Sequence, residues 1–357
     1  MGRYVLLGDC ESPHLIKWAR ALSSRVELYV ASSRGIAPEI AALLPPLRCL
    51  ALDTQPRVEG GNLAVLAALP RLARWLAGIE PTWLHAHYLT SHGTLAWLAK
   101  RLWRLRCGLV SSGWGSDVLV APDRSRALRW LTTRVLKAST LCTSDSAHMA
   151  ERMRSLGARE VMTFPFGLDA LPDDTGPKQE RLFFTNRALE PSYAPHNVLE
   201  VFADIAPAWP DAMLVIANDG SLRAELERAA AASGWGSRIR FVGRLDAAAQ
   251  AAWYRSARWY LSMPPSDSIA VSVLEAMAHG CVPLLSDLPA NRELVHDGDN
   301  GLIVGATATG TVAAMEGLLP RLDAIVQANR HWIAQHALFP QAVERFLARL
   351  SELERAP

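Results

Sequence analysis

Cysteine is scarce in this chain and never paired. The five cysteines, Cys10, Cys49, Cys107, Cys142 and Cys281, lie far apart, are odd in number and form no Cys-x-x-Cys pair. That spacing argues against a disulfide framework and a structural zinc site, and suits a reducing cytoplasm. Long apolar runs are also missing. No stretch approaches the roughly 20 residues of a membrane span, so any membrane contact is expected peripherally, on the inner face of the cytoplasmic membrane. The apolar run after Arg3 is too short for a signal peptide, and Leu6 stands where a myristoylation signal wants Ser or Thr. The first strand-helix turn carries no Gly-x-Gly-x-x-Gly fingerprint, and no internal repeat or low-complexity segment is present.

What is present describes an ordinary globular protein. At 357 residues the chain is long enough for two domains, and half of its residues are apolar. Net charge is only +2, but residues 1–170 hold 21 Lys and Arg against 13 Asp and Glu, a net of +8, which leaves −6 for the remainder. A basic N-terminal half suits an anionic lipid surface or an anionic acceptor, and equally a scattered Arg-rich surface. No nucleic-acid-binding motif accompanies it, and no nucleic-acid partner is expected.

Short apolar strands alternate with amphipathic helices. Strands are expected at residues 4–7, 26–30, 83–86, 108–111, 141–143 and 161–163, and helices at 63–77, 93–104, 125–137 and 147–156. Residues 170–180, polar and rich in Pro and Gly, read as a linker. The pattern then restarts, with strands expected at 181–185, 213–216, 239–242, 260–263 and 282–286, and the C-terminal stretch reads as helices anchored by Trp332 and Phe346. This alternation predicts an α/β protein of two Rossmann-like, doubly wound parallel-sheet domains facing across a cleft: 1–170, 171–325, and helices at 326–357 packing back toward the first domain.

Residues 264–304 carry the densest pattern. Asp267 and Glu275 sit eight positions apart, with an uncharged run between them that opens a helix. Amides at a helix start hold phosphate, and carboxylates accept hydrogen bonds from sugar hydroxyls, so the segment suits an anionic, hydroxyl-rich ligand such as a nucleotide-sugar. A plainer explanation fits the same residues. Ser272-Val-Leu-Glu275 matches a capping box, and Asp267 suits a turn. The continuation favours the ligand: Ala276 and Ala278 keep the helix start small, Gly280 ends it, a strand follows, and Asn291-Arg292-Glu293 adds a polar cluster.

This segment resembles the donor-site signature of the GT-B glycosyltransferases of family 4 (glycosyl transferases group 1). It is especially similar to the subgroup with a Ser-Asp-x-x-x-x-Ser-x-Leu-Glu-Ala-Met-Ala donor motif, and the Asn-Arg-Glu…Asp-Gly-x-Asn-Gly tail at 291–301 matches as well. The resemblance implies that Asp267 binds the donor sugar's hydroxyls and Glu275 the ribose hydroxyls. The amides of Ile269, Ala270, Val271 and Ser272 would hold the diphosphate. Asp267 is one methylene shorter than the commoner Glu, and Ser268 replaces the usual Gly. Gly8, Val242 and Gly243 join the expected donor-binding set.

Arg187 follows the strand at 181–185, where it can neutralise charge on a leaving diphosphate or pair with Glu190 on the surface. The resembling enzymes carry Arg here with a Lys several residues later; in this chain Tyr193 stands at the Lys position, and His196 is the nearest basic group. The catalytic set is then Arg187, Asp267 and Glu275. On the acceptor side, His85 and His87 alternate onto one strand face, as metal ligands lacking an acidic third or as core histidines. His85-Ala-His87-Tyr88 and Trp114-Gly-Ser-Asp117 resemble the same subgroup, with the second His near the acceptor. Trp114 replaces a His of many relatives and can serve as a stacking wall. Asp117 suits acceptor hydroxyls or a helix cap, and His14 lies at the start of the first helix.

For activity, the resemblance implies a retaining, metal-independent and cofactor-free transferase. It would move a sugar from a nucleotide-diphosphate sugar to a glycan, lipid-linked or small-molecule acceptor in cell-surface polysaccharide or glycolipid synthesis. Domain closure would assemble its site. Asp297-Gly-Asp299, the one Asp-x-Asp string, reads as a turn. Other readings stay open: a GT-B nucleotide-sugar epimerase, a catalytically inactive nucleotide-sugar-binding protein, or a membrane-surface scaffold built on helices at 97–106 and 124–137.

Overall fold

The computed structural model describes residues 2–54, 63–305 and 310–355. In chain order its strands are β1 Arg3–Gly8, β2 Glu27–Ser32, β3 Cys49–Ala51, β4 Trp83–His87, β5 Gly108–Ser112, β6 Leu141–Ser144 and β7 Val161–Thr163, then β8 Gln179–Thr185, β9 Met213–Ala217, β10 Ile239–Gly243, β11 Ala257–Ser262, β12 Val282–Ser286 and β13 Leu302–Val304. They form two sheets, ordered β3-β2-β1-β4-β5-β6-β7 and β10-β9-β8-β11-β12-β13. All named pairings are parallel. Each order reverses beside its first strand, between β1 and β4 and between β8 and β11. Successive crossovers leave those strands in opposite directions, opening a crevice at their carboxyl ends.

Burial explains the composition of the strands. Phe183 packs into one apolar cluster while Leu182 and Phe184 pack into another, so the alternation of β8 fills both faces of its sheet. Two further clusters cover the sheet of the first unit. A strand with helices on both sides cannot keep a polar face, which is why these strands read as continuous apolar runs.

Several elements differ from the sequence expectation. β3 and β13, of three residues each, are not among the expected strands. β11 spans Ala257–Ser262 rather than 260–263, because its ladder with β8 begins at Ala257 opposite Gln179. The helix expected at 63–77 is split into Leu63–Ala67 and Leu69–Ile79, with a Pro at the start of the second; Pro70 has no N–H to continue the preceding turns.

The chain divides into two compact units at other places than expected. One runs through Phe164 and takes in the C-terminal segment from Pro340; the other is Pro165–Phe339. Hydrogen bonds explain why residues 165–170 belong to the second unit: the Leu168 amide donates to Ala337 O, and the Phe339 amide donates to Leu168 O, both at 2.8 Å. Residues 326–339 stay in that unit too, with Ile333 in its core. The segment from Pro340 onward packs in the first unit. There the fully buried Phe346 meets Trp18 at 5.1 Å, Arg349 grips Glu160 through two hydrogen bonds of 2.6 and 3.0 Å, and Trp83 Nε1 donates to Glu354 at 2.6 Å. Trp332 and Phe346 thus anchor different units.

Candidate functional site

In the second unit, the crevice between β8 and β11 gathers the expected donor-side groups. Arg187 lies just past β8. Asp267 lies in the connection from β11 to the helix Val271–Ala278. Arg187 NH2 donates to Asp267 Oδ2 at 2.5 Å, its NH1 donates to Ser272 Oγ at 3.3 Å, and its guanidinium carbon stands 4.5 Å from the centre of the Tyr193 ring. Both partners of the ion pair are largely buried. Burial, the largest single influence, opposes the charge of Arg187, but Asp267 together with Tyr260, Tyr193 and Tyr254 holds the guanidinium above its ordinary range. Burial likewise pushes the Asp267 carboxyl up, against the pull of Arg187 and of the Ser268 amide, which donates to Asp267 Oδ1 at 3.0 Å. Arg187 Nε is buried without a protein partner. The pairing of Arg187 with Glu190 does not form. Glu190 instead accepts from the amide and hydroxyl of Ser221 at 3.0 and 2.5 Å.

The capping-box reading also fails. The helix starts at Val271 with Ala270 as its cap residue, and no side chain caps it. Its first-turn amides have no acceptor within the helix. They carry the positive end of the helix dipole, worth about 0.3–1 kcal/mol to an anion when exposed. Ile269 and Ala270 pack into the core, and Ser268 is buried. Glu275, one turn along, is held from the side: its Oε2 accepts from Tyr254 OH at 3.0 Å and from Gln250 Nε2 at 3.2 Å. Sequence reasoning missed Tyr254, Asn186, Gln250 and Tyr260 around this carboxylate. The available signal was Asn186, immediately before Arg187.

The 291–301 tail is structural. Asn291 Nδ2 donates to Ser286 O at 2.8 Å, and Ser286 Oγ donates to Pro264 O at 2.8 Å, which steadies the loop that carries Asp267. Asp297 Oδ1 accepts from the Ile303 amide at 2.9 Å, and Asp299 lies 3.5 Å from Arg321. Val242 and Gly243 end β10, at the edge of the sheet and two strands from β8.

The corresponding crevice of the first unit lies between β1 and β4. Gly8 ends β1, and a Cβ there would meet Leu15 Cδ1 at 2.8 Å and His87 Cβ at 3.4 Å, so a larger residue would displace the Leu15 side chain. His85 is a satisfied core histidine, bonded to Tyr4 OH at 2.8 Å and to Ser112 Oγ at 2.7 Å, and burial pushes it down to about 3. His87 differs. It is 5% exposed, neither ring nitrogen has a protein partner among the described residues, and burial holds it well below the usual histidine range. Its ring stacks on Trp114 at 5.6 Å, and Trp114 stacks on His14 at 4.3 Å. Tyr88 has φ 74°, a costly value for a bulky residue, and its OH is 3.0 Å from Ser116 Oγ. Among the described residues no group of three or more His, Cys, Asp or Glu is arranged to hold a metal ion.

Asp117 does not present itself to a ligand. It is fully buried, with Oδ1 accepting from the Trp114 amide and Oδ2 from the Leu89 amide, both at 2.8 Å. Burial pushes it up to about 6 despite these bonds. It ties the loop after β5 to the turn after β4, and so positions Trp114 beside His87.

Two family models match the sequence, one described as glycosyl transferases group 1 over residues 170–319 and one as glycosyl transferase 4-like over residues 4–146. A phosphatidyl-myo-inositol mannosyltransferase of Mycobacterium tuberculosis is 30% identical over 208 residues, 55% of this chain and 52% of that protein. The match therefore spans about half the length of that relative. The protein of that name from Mycobacterium leprae is 25% identical over 355 residues, covering 93% of this chain and 88% of its own. Among solved structures, Anabaena Alr3699/HepE in complex with UDP and glucose superposes with a TM-score of 0.76 at 15% identity, covering both chains fully (100%). The lipopolysaccharide outer core galactosyltransferase WaaB, in its apo form, gives 0.63 at 14%, over 96% of this chain and 95% of that one.

Substituting Asp117→Ala orphans two buried amides, at a cost of about 1–3 kcal/mol each. The urea midpoint is expected to fall clearly. An unchanged midpoint with impaired activity would return Asp117 to a ligand-contacting role.

Proposed function

The chain belongs to the glycosyl transferases group 1 and has the GT-B fold, and on that premise we propose that it transfers a sugar from a nucleoside-diphosphate sugar to an acceptor hydroxyl with retention of configuration. The observation that carries the reading is the start of helix Val271–Ala278: uncapped by any side chain, it is flanked by Arg187 on one side and followed by Glu275 one turn along. First-turn amides and a guanidinium suit a diphosphate, and a fixed carboxylate suits a vicinal diol such as ribose. Relatives named as mannosyltransferases and a fold neighbour solved with UDP and glucose support the same class of donor.

In this reading the bond from the anomeric carbon to the diphosphate oxygen breaks, and the acceptor oxygen bonds that carbon on the same face. The acceptor's proton passes to the departing diphosphate. Arg187 and the helix amides then stabilise the charge that grows on the leaving group, so the step is written without a metal. Arg187 Nε, lacking a protein partner, is the atom from which phosphate can take a hydrogen bond while NH2 stays on Asp267. Asp267 is assigned to the sugar hydroxyls. His87 is assigned to the acceptor: each buried, unmatched polar atom costs about 1–3 kcal/mol, which a hydroxyl would relieve. His87 is neutral, so it offers one donor and one acceptor rather than a charge.

The purified protein, screened against UDP-, GDP-, dTDP- and ADP-sugars, should bind and slowly hydrolyse at least one. Failure with every member overturns the reading. Binding without hydrolysis or transfer would make it a nucleotide-sugar-binding protein, and release of an isomerised nucleotide-sugar would make it an epimerase.

The acceptor is proposed to be lipid-linked, met at an anionic membrane from the cytoplasmic side. Among the described residues no helix is long and apolar enough to cross a membrane. Helices Thr94–Leu102 and Arg126–Ala138 touch through Trp97 and Trp130, at 6.0 Å, and expose Trp130 (53%), Leu102 (59%) and Trp103 (37%). Residues 94–138 hold nine Lys and Arg against two Asp, one of which, Asp117, is buried. Aromatic and aliphatic tips within a cationic field match the interface of an anionic bilayer. Flotation with phosphatidylglycerol vesicles should recover the protein at low salt, and Trp130→Ala with Arg134→Glu should reduce recovery. Equal recovery on neutral phosphatidylcholine, or none on either, contradicts membrane contact by charge.

A further inference from the structure

Glu275 is joined to Arg187 by a chain of buried polar groups that runs through the core of the second unit. Arg187 NH1 donates to Ser272 Oγ at 3.3 Å, and the carbonyl oxygen of Ser272 accepts from Tyr254 OH at 3.2 Å. Tyr260 OH donates to Asn186 Oδ1 at 2.6 Å, Asn186 Nδ2 donates to Tyr254 OH at 2.8 Å, and Tyr254 OH reaches Glu275 Oε2 at 3.0 Å. Tyr254 and Tyr260 are 1% and 0% exposed, so no bulk water competes for these bonds.

The direction of each bond follows from counting protons. Tyr260 is fully buried, and among the described residues its hydroxyl bonds Asn186, so its single proton goes to Asn186 Oδ1. That fixes the Asn186 amide with its NH2 toward Tyr254. Because an NH2 only donates, the Tyr254 proton must point away from Asn186, toward the Glu275 carboxylate or Ser272 O at 3.2 Å. A flipped Asn186 would capture the Tyr254 proton and leave Glu275 without it. The run from Tyr260 through Asn186 and Tyr254 to Glu275 is therefore polar from end to end, a phenol donor at one terminus and a carboxylate acceptor at the other. Bonds aligned in this way polarise and strengthen one another in a low-dielectric interior.

We infer that Tyr254, oriented by Asn186 and Tyr260, is the positioning residue that fixes the Glu275 carboxylate for the ribose diol and ties it to the phosphate-side Arg187. The inference rests on the assignment of Glu275 to ribose given above. Tyr254 touches no ligand; it acts on the rotamer of Glu275, together with Gln250, which donates to the same oxygen.

The test is equilibrium binding of UDP and GDP, and of their 2′,3′-dideoxy counterparts, to the full chain. For Tyr254→Phe the Kd of the preferred ribonucleotide should rise about fivefold to tenfold, the equivalent of one hydrogen bond. The dideoxy analogue, which lacks the diol, should bind as to the unaltered protein. Adding Tyr254→Phe to Glu275→Ala should bring no further loss. If Tyr254→Phe does not fold, Tyr260→Phe removes the far end of the chain and should show the same diol-dependent loss, smaller in size. Equal weakening of both nucleotides, additive losses in the double variant, or unchanged binding in folded variants overturns the inference. An unaltered Kd for Glu275→Ala itself would instead overturn the ribose assignment beneath it.

Discussion

Parallel strands cannot be joined by hairpins, so each crossover must carry a helix over one face of the sheet. In both sheets the crossovers from the first strand leave in opposite directions, and the crevice between β1 and β4, and between β8 and β11, is left uncovered at the carboxyl ends. Most of the chemistry described above sits at these two crevices. Gly8, His14, His87 and Trp114 collect at one, and Arg187, Asp267 and the start of helix Val271–Ala278 at the other. The topology decides where a ligand can lie before any side chain decides what it is.

Within the second crevice the guanidinium and one carboxylate are paired. Arg187 and Asp267 satisfy each other at 2.5 Å, and Tyr193 lies 4.5 Å from the guanidinium, at the position where the resembling enzymes carry a Lys. The aromatic face supports the guanidinium by cation–π attraction. On the proposed reading the diphosphate's charge falls on Arg187 and the helix amides. In the first crevice burial holds His85 and His87 in the neutral form, so these two imidazoles bring no charge. That crevice contributes shape, an aromatic stack and an imidazole whose nitrogens have no protein partner.

Much of this was legible in the sequence because it rests on local pattern. Strand-helix alternation, the spacing of Asp267 and Glu275, and the place of Arg187 just past a strand are visible in one dimension. Three kinds of feature were not. β3 and β13, at three residues each, fall short of the run of about four to eight that marks a strand in sequence. Hydrogen-bond competition decided against the capping box, because Tyr254 and Gln250 come from a helix some 20 positions upstream to hold Glu275. Burial settled Asp117, whose Trp-Gly-Ser-Asp setting looks the same whether the carboxylate meets solvent or two backbone amides. The boundary at Phe164 was hidden for the same reason: two hydrogen bonds between Leu168 and residues 337 and 339 outweigh the Pro- and Gly-rich composition further on.

The central claim is that the start of helix Val271–Ala278 is a diphosphate site with a ribose anchor one turn along. A crystal structure of the protein with its preferred nucleoside diphosphate tests it most directly. The phosphates should lie against the amides of Ile269, Ala270, Val271 and Ser272 with Arg187 beside them, and the ribose hydroxyls on Glu275. A nucleotide bound elsewhere, or bound here with Glu275 untouched and still held only by Tyr254 and Gln250, would contradict it.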